Sequence, residues 1–135
     1  MTPEELAHIH AASFTHPRPW SAAEFAALLR DPANFLIARE DGFILGRTIL
    51  DEAELLTLAV APEARQRGFG TMLLHAFEIA ARERGAATAF LEVASTNAPA
   101  LALYHRAAWQ DAGRRRNYYA AGLDAVVMRK VLQDS

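Results

Sequence analysis

The sequence predicts one mixed α/β domain over residues 1–135, with a mainly antiparallel sheet, one parallel strand junction and about four flanking helices. Three features predict this fold: an antiparallel hairpin pattern, an Arg- and Gly-rich turn between a strand and a helix, and a second strand after that helix. The chain has 135 residues and is 52% hydrophobic, so it can bury a core without a metal or a disulfide.

The composition argues against several classes of protein. The formal net charge of -2 gives no global positive field that would attract nucleic acid or a membrane surface. With no cysteine, the chain has no disulfide, thiolate nucleophile or cysteine-ligated zinc, and its histidines lack metal-ligand spacing. Met1–Glu5 is acidic, and no apolar run approaches the ~18 residues of a membrane span. We therefore expect a cytoplasmic protein with no metal and no direct nucleic-acid or membrane partner, and we expect it to be a monomer.

Two short helices are predicted first. Thr2–Glu5 and Ser21–Glu24 are both capping boxes, in which a hydroxyl and a carboxylate three residues later satisfy the first backbone N–H groups of a helix. Prolines follow the first pattern, and Asp31-Pro32 ends the second. Trp20 lies between the helices, where core packing is favoured over the alternative that it lines a substrate groove.

An antiparallel meander is predicted next. Phe35–Ala38 and Phe43–Leu45 are apolar runs on either side of an Asp-Gly pair, which is a strong hairpin signal. After an acidic link, Asp51–Glu54, the strand-forming run Leu55–Ala61 can pair onto the same sheet.

The Arg- and Gly-rich turn is the stretch Arg65–Gly70, which precedes a helical pattern over Thr71–Arg84. The residues predicted on the inner side of this helix are Leu73, Leu74, Phe77, Ile79 and Ala80. The first N–H groups of a helix lack intrahelical partners, and Gly68 and Gly70 would let a ligand approach them closely. The two arginines add positive charge, so the stretch predicts a phosphate site. It matches neither nucleotide motif, because Leu73 replaces the third glycine of the dinucleotide fingerprint and no P-loop lysine is present.

The next strand carries an isolated charge. Gly85 is a predicted helix C-cap, and Ala86–Ala94 would return parallel to the preceding strand, forming a β-α-β unit. Glu92 is the charged residue of this apolar strand. It is either a solvent-facing edge residue or a carboxylate in a partly dry site that can accept a proton.

The C-terminal third adds polar candidates. Asn97 is a predicted N-cap, and a helix over Pro99–Arg106 would place Asn97 and Tyr104 two turns apart on one face, where both could contact one ligand. Alternatively, Asn97 is only a cap and Tyr104 a core aromatic. Arg114–Arg116, followed by two tyrosines, favours a hairpin tip near a substrate groove over a nucleic-acid patch.

The Arg-x-x-Gly-x-Gly pattern of Arg65–Gly70, with Glu92, Asn97 and Tyr104 downstream, resembles the GCN5-related N-acetyltransferase (GNAT) family. The segments Asp51–Val60, Arg115–Tyr119 and Asp124–Met128 resemble its ribosomal-protein-alanine N-acetyltransferase branch. The resemblance spans most of residues 35–132 and implies the acyl-CoA N-acyltransferase fold. Ala107-Ala108-Trp109 departs from it, since relatives usually carry a Gly-Phe pair at its last two positions.

The resemblance implies direct acetyl transfer from acetyl-CoA to an amine in a ternary complex, without a covalent enzyme intermediate. Glu92 matches the general base of the family and Tyr104 its general acid. A backbone N–H between Leu58 and Val60 matches the partner of the thioester carbonyl. The residues implied to hold acetyl-CoA are Leu58, Ala59, Val60, Arg65, Gln66, Arg67, Gly68, Phe69, Gly70, Asn97 and Tyr104.

The acceptor implied by the resemblance is a protein N-terminus, specifically the N-terminal Ala of ribosomal protein S18. An α-amine titrates near ~8 and lysine near ~10.4, so at pH 7 freeing the α-amine costs roughly 1.4 kcal/mol and freeing lysine over three times as much. We expect Trp20, Glu54, Tyr118 and Tyr119 on the substrate side. The acidic charge of Glu54 could attract a basic peptide, or belong to a solvated turn. Acetylation of a small amine or a lysine, and a non-catalytic acyl-CoA sensor, remain alternatives.

Overall fold

The computed structural model describes residues 1–13, 18–65 and 68–133. The helices and strands are α1 (Pro3–Ser13), α2 (Ala22–Arg30), β1 (Asn34–Arg39), β2 (Gly42–Ile49), β3 (Glu52–Val60), α3 (Phe69–Glu83), β4 (Thr88–Ala94), α4 (Ala98–Arg106), β5 (Gln110–Ala120) and β6 (Leu123–Val131). Within the described part of the chain, no helix is long and apolar enough to cross a bilayer.

The six strands form one sheet in the order β1-β2-β3-β4-β6-β5. β3 and β4 run parallel, whereas the other neighbouring strands are antiparallel. This confirms the predicted meander and the parallel junction. The predicted acidic link was wrong, however, because Glu52–Glu54 already belongs to β3 and pairs with Thr88–Phe90 of β4. Alternation of these glutamates with Ala53 and Leu55 keeps the strand half buried despite its charge.

β3 and β4 separate after this short pairing. Their described register ends at Glu54 and Phe90, although both strands continue. On the other side of β3, the register with β2 shifts, because Leu45 pairs with Thr57 while Gly46 pairs with Leu55. One extra residue in β3 at this point is a bulge, which bends a strand and strengthens its twist. A gap therefore opens between the C-terminal halves of the two parallel strands.

Two hydrophobic clusters cover the two faces of the sheet. The α3 and α4 side buries a cluster that includes Phe35, Phe77 and Leu91. Gly46 is required beneath it, since a Cβ atom there would lie 2.6 Å from the ring of Phe77. The α1 and α2 side buries the smaller cluster Leu6, Phe25, Phe43, Leu45 and Ala59. The sheet thus separates two environments that meet only where β3 and β4 part.

The helix ends follow the local signals in the sequence. Both capping boxes form, since Thr2 and Glu5 exchange hydrogen bonds of 3.1 and 3.2 Å, and Ser21 and Glu24 do the same. Gly85 has φ +93 after α3, where Ala86 N–H donates to Ala81 O. This is a Schellman motif, as the glycine predicted.

The inner face of α3 departs from the prediction at one position. Ile79, predicted to face inward, is 41% exposed. Its neighbour Glu78 is buried instead, because Lys130 Nζ donates to Glu78 Oε1 at 2.7 Å and Trp109 Nε1 donates to its other oxygen at 3.3 Å. A buried carboxylate of this kind is tolerated because its partners satisfy it.

Candidate active site

The gap between β3 and β4 opens into a cavity of about 630 Å³. Its walls come from the end of β3, the start of α3 and one face of α4, so three of the four elements of the β-α-β-α unit contribute. The lining residues are Ser13, Leu58, Ala59, Val60, Ala64, Arg65, Gly68, Gly70, Thr71, Asn97, Pro99, Ala100, Leu103, Tyr104 and Arg106. Most predicted cofactor residues therefore lie around one cavity. Phe69 is outside this lining set and begins α3, and Gln66 and Arg67 lie outside the described residues.

The start of α3 presents backbone donors to this cavity. Gly68 is the N-cap with φ +80, and the first backbone bond of the helix runs from Met72 N–H to Gly68 O. The amides of residues 69–71 therefore have no partner within the helix. The nearby Arg65 donates from Nε to Val60 O at 3.2 Å, which holds its guanidinium at the cavity wall. Amides, helix dipole and guanidinium together favour an anion.

Asn97 and Tyr104 line the cavity from α4. Asn97 Oδ1 accepts from Ala100 N–H at 3.2 Å, so the predicted N-cap is confirmed, while its contact with a ligand stays a prediction. Tyr104 is 6% exposed and its ring packs 6.1 Å from that of Trp109. Burial raises the pKa of Tyr104 well above its usual range, and Tyr119 raises it further. The phenol is therefore protonated at neutral pH, as an ordinary tyrosine is, and its hydroxyl carries a proton that it could donate, although burial makes it a weaker acid.

Glu92 faces the other side of the sheet. Its neighbours Leu91 and Val93 belong to the cluster beneath α3, so alternation along β4 directs Glu92 to the α1 and α2 side. Glu92 is not among the described residues that line the large cavity. Its side chain is 24% exposed, and Glu92 Oε1 lies 3.3 Å from Arg115 Nη2. The sequence left two possibilities for Glu92, a solvent-facing residue of an edge strand or a carboxylate in a partly dry site. The second fits the structure.

Glu54 and Tyr119 belong to the same charged cluster as Glu92. Burial raises the pKa of Glu54, and the charge of Glu92 raises it further, whereas the cations of Arg47 and Arg115 lower it. Burial also raises the pKa of Tyr119 to about 12, with a further contribution from Glu92. Glu92 raises the pKa of Tyr119, and Tyr119 in turn raises that of Tyr104, so Tyr119 connects the charged cluster with the cavity residue Tyr104.

The two remaining substrate-side candidates, Tyr118 and Trp20, differ in their surroundings. Tyr118 is 50% exposed and meets Tyr119 edge to face, with ring centroids 5.1 Å apart. The Trp20 ring stacks on the His10 ring with centroids 4.9 Å apart, and the backbone N–H of Trp20 donates to His10 Nδ1 at 3.1 Å. Trp20 packs with the α1 and α2 cluster, in keeping with the core interpretation. Contact of either residue with a substrate stays a prediction.

Several cavity and cluster residues were not identified from the sequence. Pro99 and Leu103 lie on the face of α4 that carries Asn97 and Tyr104, so helical spacing contains a signal for them. Ser13 has no local signal, and Arg115 was identified only as part of the Arg114–Arg116 run, without its partner. Ser13 Oγ donates to Val60 O at 3.3 Å from a helix 47 positions away, and Arg115 reaches Glu92 from another strand.

Comparison with known proteins agrees with this geometry. The family model described as "Acetyltransferase (GNAT) family" matches residues 4–109. The [ribosomal protein bS18]-alanine N-acetyltransferase of Escherichia coli K12 is 35% identical over 126 residues, which cover 88% of this chain and 85% of the relative. The N-alpha-acetyltransferase RimI of Mycobacterium tuberculosis H37Rv is 36% identical, covering 94% of this chain and 85% of the relative.

A solved structure gives the same result for the fold. The crystal structure of the ribosomal-protein-S18-alanine N-acetyltransferase from Escherichia coli superposes with a TM-score of 0.84 at 31% identity. The match covers 96% of this chain and 86% of that chain. The acyl-CoA N-acyltransferase fold expected from the sequence is thereby confirmed.

Proposed function

Because the chain belongs to the acetyltransferase (GNAT) family, we propose that it transfers an acetyl group from acetyl-CoA to the N-terminal α-amine of a protein, most specifically the N-terminal Ala of ribosomal protein S18. The observation that carries this proposal is the gap between β3 and β4, which joins an anion-binding cavity on one face to a carboxylate cluster on the other. The named acceptor of its relatives supports the choice of S18, and such an acceptor would place the protein in the cytoplasm.

The residues around the cavity fit acetyl-CoA. The free amides at the start of α3 and the guanidinium of Arg65 suit the pyrophosphate. The edge of β3 at Leu58–Val60 is paired with β2 but lies beyond its pairing with β4, so it can hydrogen-bond an extended ligand arm. Asn97 and Tyr104 stand across the cavity from that edge, where the reacting end of the ligand would lie.

The acceptor side must produce a neutral amine. Glu92 would take the proton of the α-ammonium through a bridging water, since a carboxylate beside the acceptor nitrogen is the group that can do so. When bound, acetyl-CoA supplies an acetyl thioester, which the amine attacks so that a C–N bond forms as the C–S bond breaks. An N–H of Leu58–Val60 would stabilise the negative charge that develops on the carbonyl oxygen.

Tyr104 would complete the proton balance. Its buried phenol would donate the Oη proton to the departing sulfur, and the second proton that the nitrogen loses on forming the amide would restore the phenol through water. The first proton, taken by Glu92, would return to solvent. The two proton-transfer groups therefore lie on opposite faces of β4, one facing each substrate. This division matches a direct transfer in which both substrates are bound together.

The proposal is tested with a peptide that begins with the N-terminal Ala of S18 and also contains a lysine. We expect CoA release and one acetyl group on the α-amine, located by fragmentation mass spectrometry. The matched control is the same peptide with a blocked α-amine, which should release no CoA. Acetylation of the lysine in this control would favour the lysine enzyme. Binding of acetyl-CoA without release of CoA from any amine would favour a non-catalytic sensor.

A further inference from the structure

The carboxylate of Glu92 already has a cation beside it. Arg115 belongs to β5, which is separated from β4 by β6, and its side chain reaches across β6 to within 3.3 Å of Glu92 Oε1. The Arg115 side chain is 56% exposed, so this ion pair lies at the boundary with solvent. Ion pairs in such positions are weak and exchange readily. The guanidinium therefore occupies the position that an incoming amine would need, without being fixed there.

A second contact of Arg115 makes its departure from Glu92 easy. The guanidinium carbon lies 5.1 Å from the centroid of the Tyr118 ring, within range of a cation–π interaction. Arg115 is also the last paired residue of β5 before the second irregularity in its ladder with β6, between Arg115 and Ala120. Its side chain can thus leave the carboxylate while it keeps an aromatic partner on its own strand.

The other charged groups near Glu92 either pair with other residues or carry the same negative charge as Glu92. Glu54 is a second carboxylate, and it lies close enough for the charge of Glu92 to raise the pKa of Glu54. Arg47 Nη2 binds Asp31 at 2.7 Å and Arg47 Nε donates to Asn34 at 3.0 Å, so this cation is already engaged. Tyr119 stays a neutral phenol at neutral pH. Among the ion pairs of the described residues, Glu92 is paired with Arg115.

We propose that Arg115 is a positioning residue that holds the place of the substrate ammonium on Glu92, and that the arriving α-ammonium displaces it. The inference rests on the proposed function, in which Glu92 meets the acceptor amine. Exchange of one cation for another keeps the net charge around the two carboxylates the same in the free and the bound state. An uncharged acceptor, such as an N-blocked peptide, offers no cation for this exchange and is rejected at the same step.

Arg115→Gln removes the competing cation, and Arg114→Gln is its matched control. Arg114 is the preceding residue of the same strand and carries the same charge, but it pairs with Asp124 at 3.0 Å. With the Ala peptide at neutral pH, Arg115→Gln should lower KM by roughly two- to fivefold, the range expected for a partly exposed ion pair. This fall should exceed any change in kcat. Arg115→Lys, which keeps the charge, should return KM toward the wild-type value.

Two kinetic outcomes overturn the proposal. An unchanged or higher KM in Arg115→Gln means that Arg115 does not compete with the acceptor. An equal fall of KM in Arg114→Gln means that only the overall charge of the strand matters.

A titration without turnover separates this inference from the proposed function. Alaninamide carries an α-ammonium, and its addition should shift the side-chain ¹⁵N resonance of Arg115 as the guanidinium leaves Glu92. N-acetylalaninamide lacks the charge and should leave the resonance in place. If no peptide is acetylated, the proposed function fails, and this titration still decides the exchange. A resonance that alaninamide does not move refutes it.

Discussion

The two sides of the gap between β3 and β4 are formed by different kinds of chemical group. The cavity side includes backbone amides, small residues, one buried phenol and the guanidinium of Arg65, most of them supplied by one run of chain from the end of β3 to α4. The acceptor side consists of charged side chains from separate strands, with Glu54 on β3, Glu92 on β4 and Arg115 on β5. The first side can bind one invariant ligand through fixed backbone geometry. The second can change its charge and its partners, as selection of an acceptor requires.

The substitution with the largest expected effect tests whether the acceptor side contributes to the chemical step and the cavity side to cofactor binding. Glu92→Gln keeps the shape of the side chain but cannot accept a proton, so kcat should fall by about 100- to 1,000-fold. Affinity for acetyl-CoA, measured by calorimetry, should change little because Glu92 does not line the cavity. Glu54→Gln is the matched control and should act mainly on the KM of the peptide. Undiminished turnover in Glu92→Gln at neutral pH would remove Glu92 from the base role.

Tyr104→Phe makes the corresponding test on the cavity side. The hydroxyl is lost while the ring still packs beside Trp109, so the fold should be kept. We expect kcat to fall by about 10- to 100-fold, less than for Glu92→Gln, because a thiol has a pKa near ~8.5 and its thiolate can depart with little help. Stopped-flow measurement of CoA release gives kcat. An unchanged kcat with an unchanged melting temperature would assign Tyr104 to packing alone.

The stability of the acceptor side should depend on pH through His10 of α1. His10 Nδ1 accepts from Trp20 N–H, so the proton lies on Nε2, which donates to Thr57 Oγ1 at 3.0 Å. Burial lowers the pKa of His10 to about 4. The unfolded chain therefore binds this proton more readily than the folded one between pH 6.5 and 4. Stability is complete above pH 6.5 and is lost as the pH falls, by about 2 kcal/mol between pH 7 and pH 5.

Urea unfolding at the two pH values measures this loss. His10→Gln should remove most of the pH dependence, whereas His8→Gln, on an exposed position of the same helix, should retain it. A pH dependence that survives in His10→Gln would assign it to other groups.

A pair of glycine variants tests whether the cavity side depends on backbone geometry. Gly68 and Gly122 have φ of +80 and +77, and an added Cβ meets nothing within 4 Å at either position. Each change to Ala should cost about 1–2 kcal/mol of folding stability through backbone strain. Only Gly68→Ala should also weaken acetyl-CoA binding, by about tenfold, because relief of the strain turns the α3 amides away from the ligand. Equal affinities in the two variants would show that these amides do not hold the cofactor.

The difference between the cavity side and the acceptor side also explains which features could be predicted from the sequence. The Asp-Gly hairpin and the Asn97 cap depend on neighbouring residues, so a short stretch of sequence contains the whole cause. The cavity side shares this property, and most of its predicted residues do lie around one cavity. The prediction began β3 too late, at Leu55. It assigned Glu52 and Glu54 to a polar link, although they alternate with the buried Ala53 and Leu55.

The acceptor side could be predicted only in part. Glu92 was identified because it is an isolated charge in an apolar strand, but its partner could not be found. The contact with Arg115 depends on strand order and on the irregular register between β5 and β6, neither of which has a local signal. The burial of Glu78 depends in the same way on Lys130, which is 52 positions away.

The smallest expected effect concerns the turn that supports the cavity side after Tyr104. Ala108 has φ +71, and the turn is a Schellman motif in which Trp109 N–H donates to Tyr104 O and Ala108 N–H to His105 O. Glycine adopts this φ without strain. Ala108→Gly should therefore raise the free energy of unfolding by about 0.5 kcal/mol, since relief of the left-handed strain exceeds the added freedom of the unfolded chain. Urea denaturation measures it against Ala107→Gly, where φ is -85 and glycine should only destabilise. A stabilised Ala108→Gly with unchanged acetyl-CoA affinity would show that the strained turn is separable from the cavity it supports.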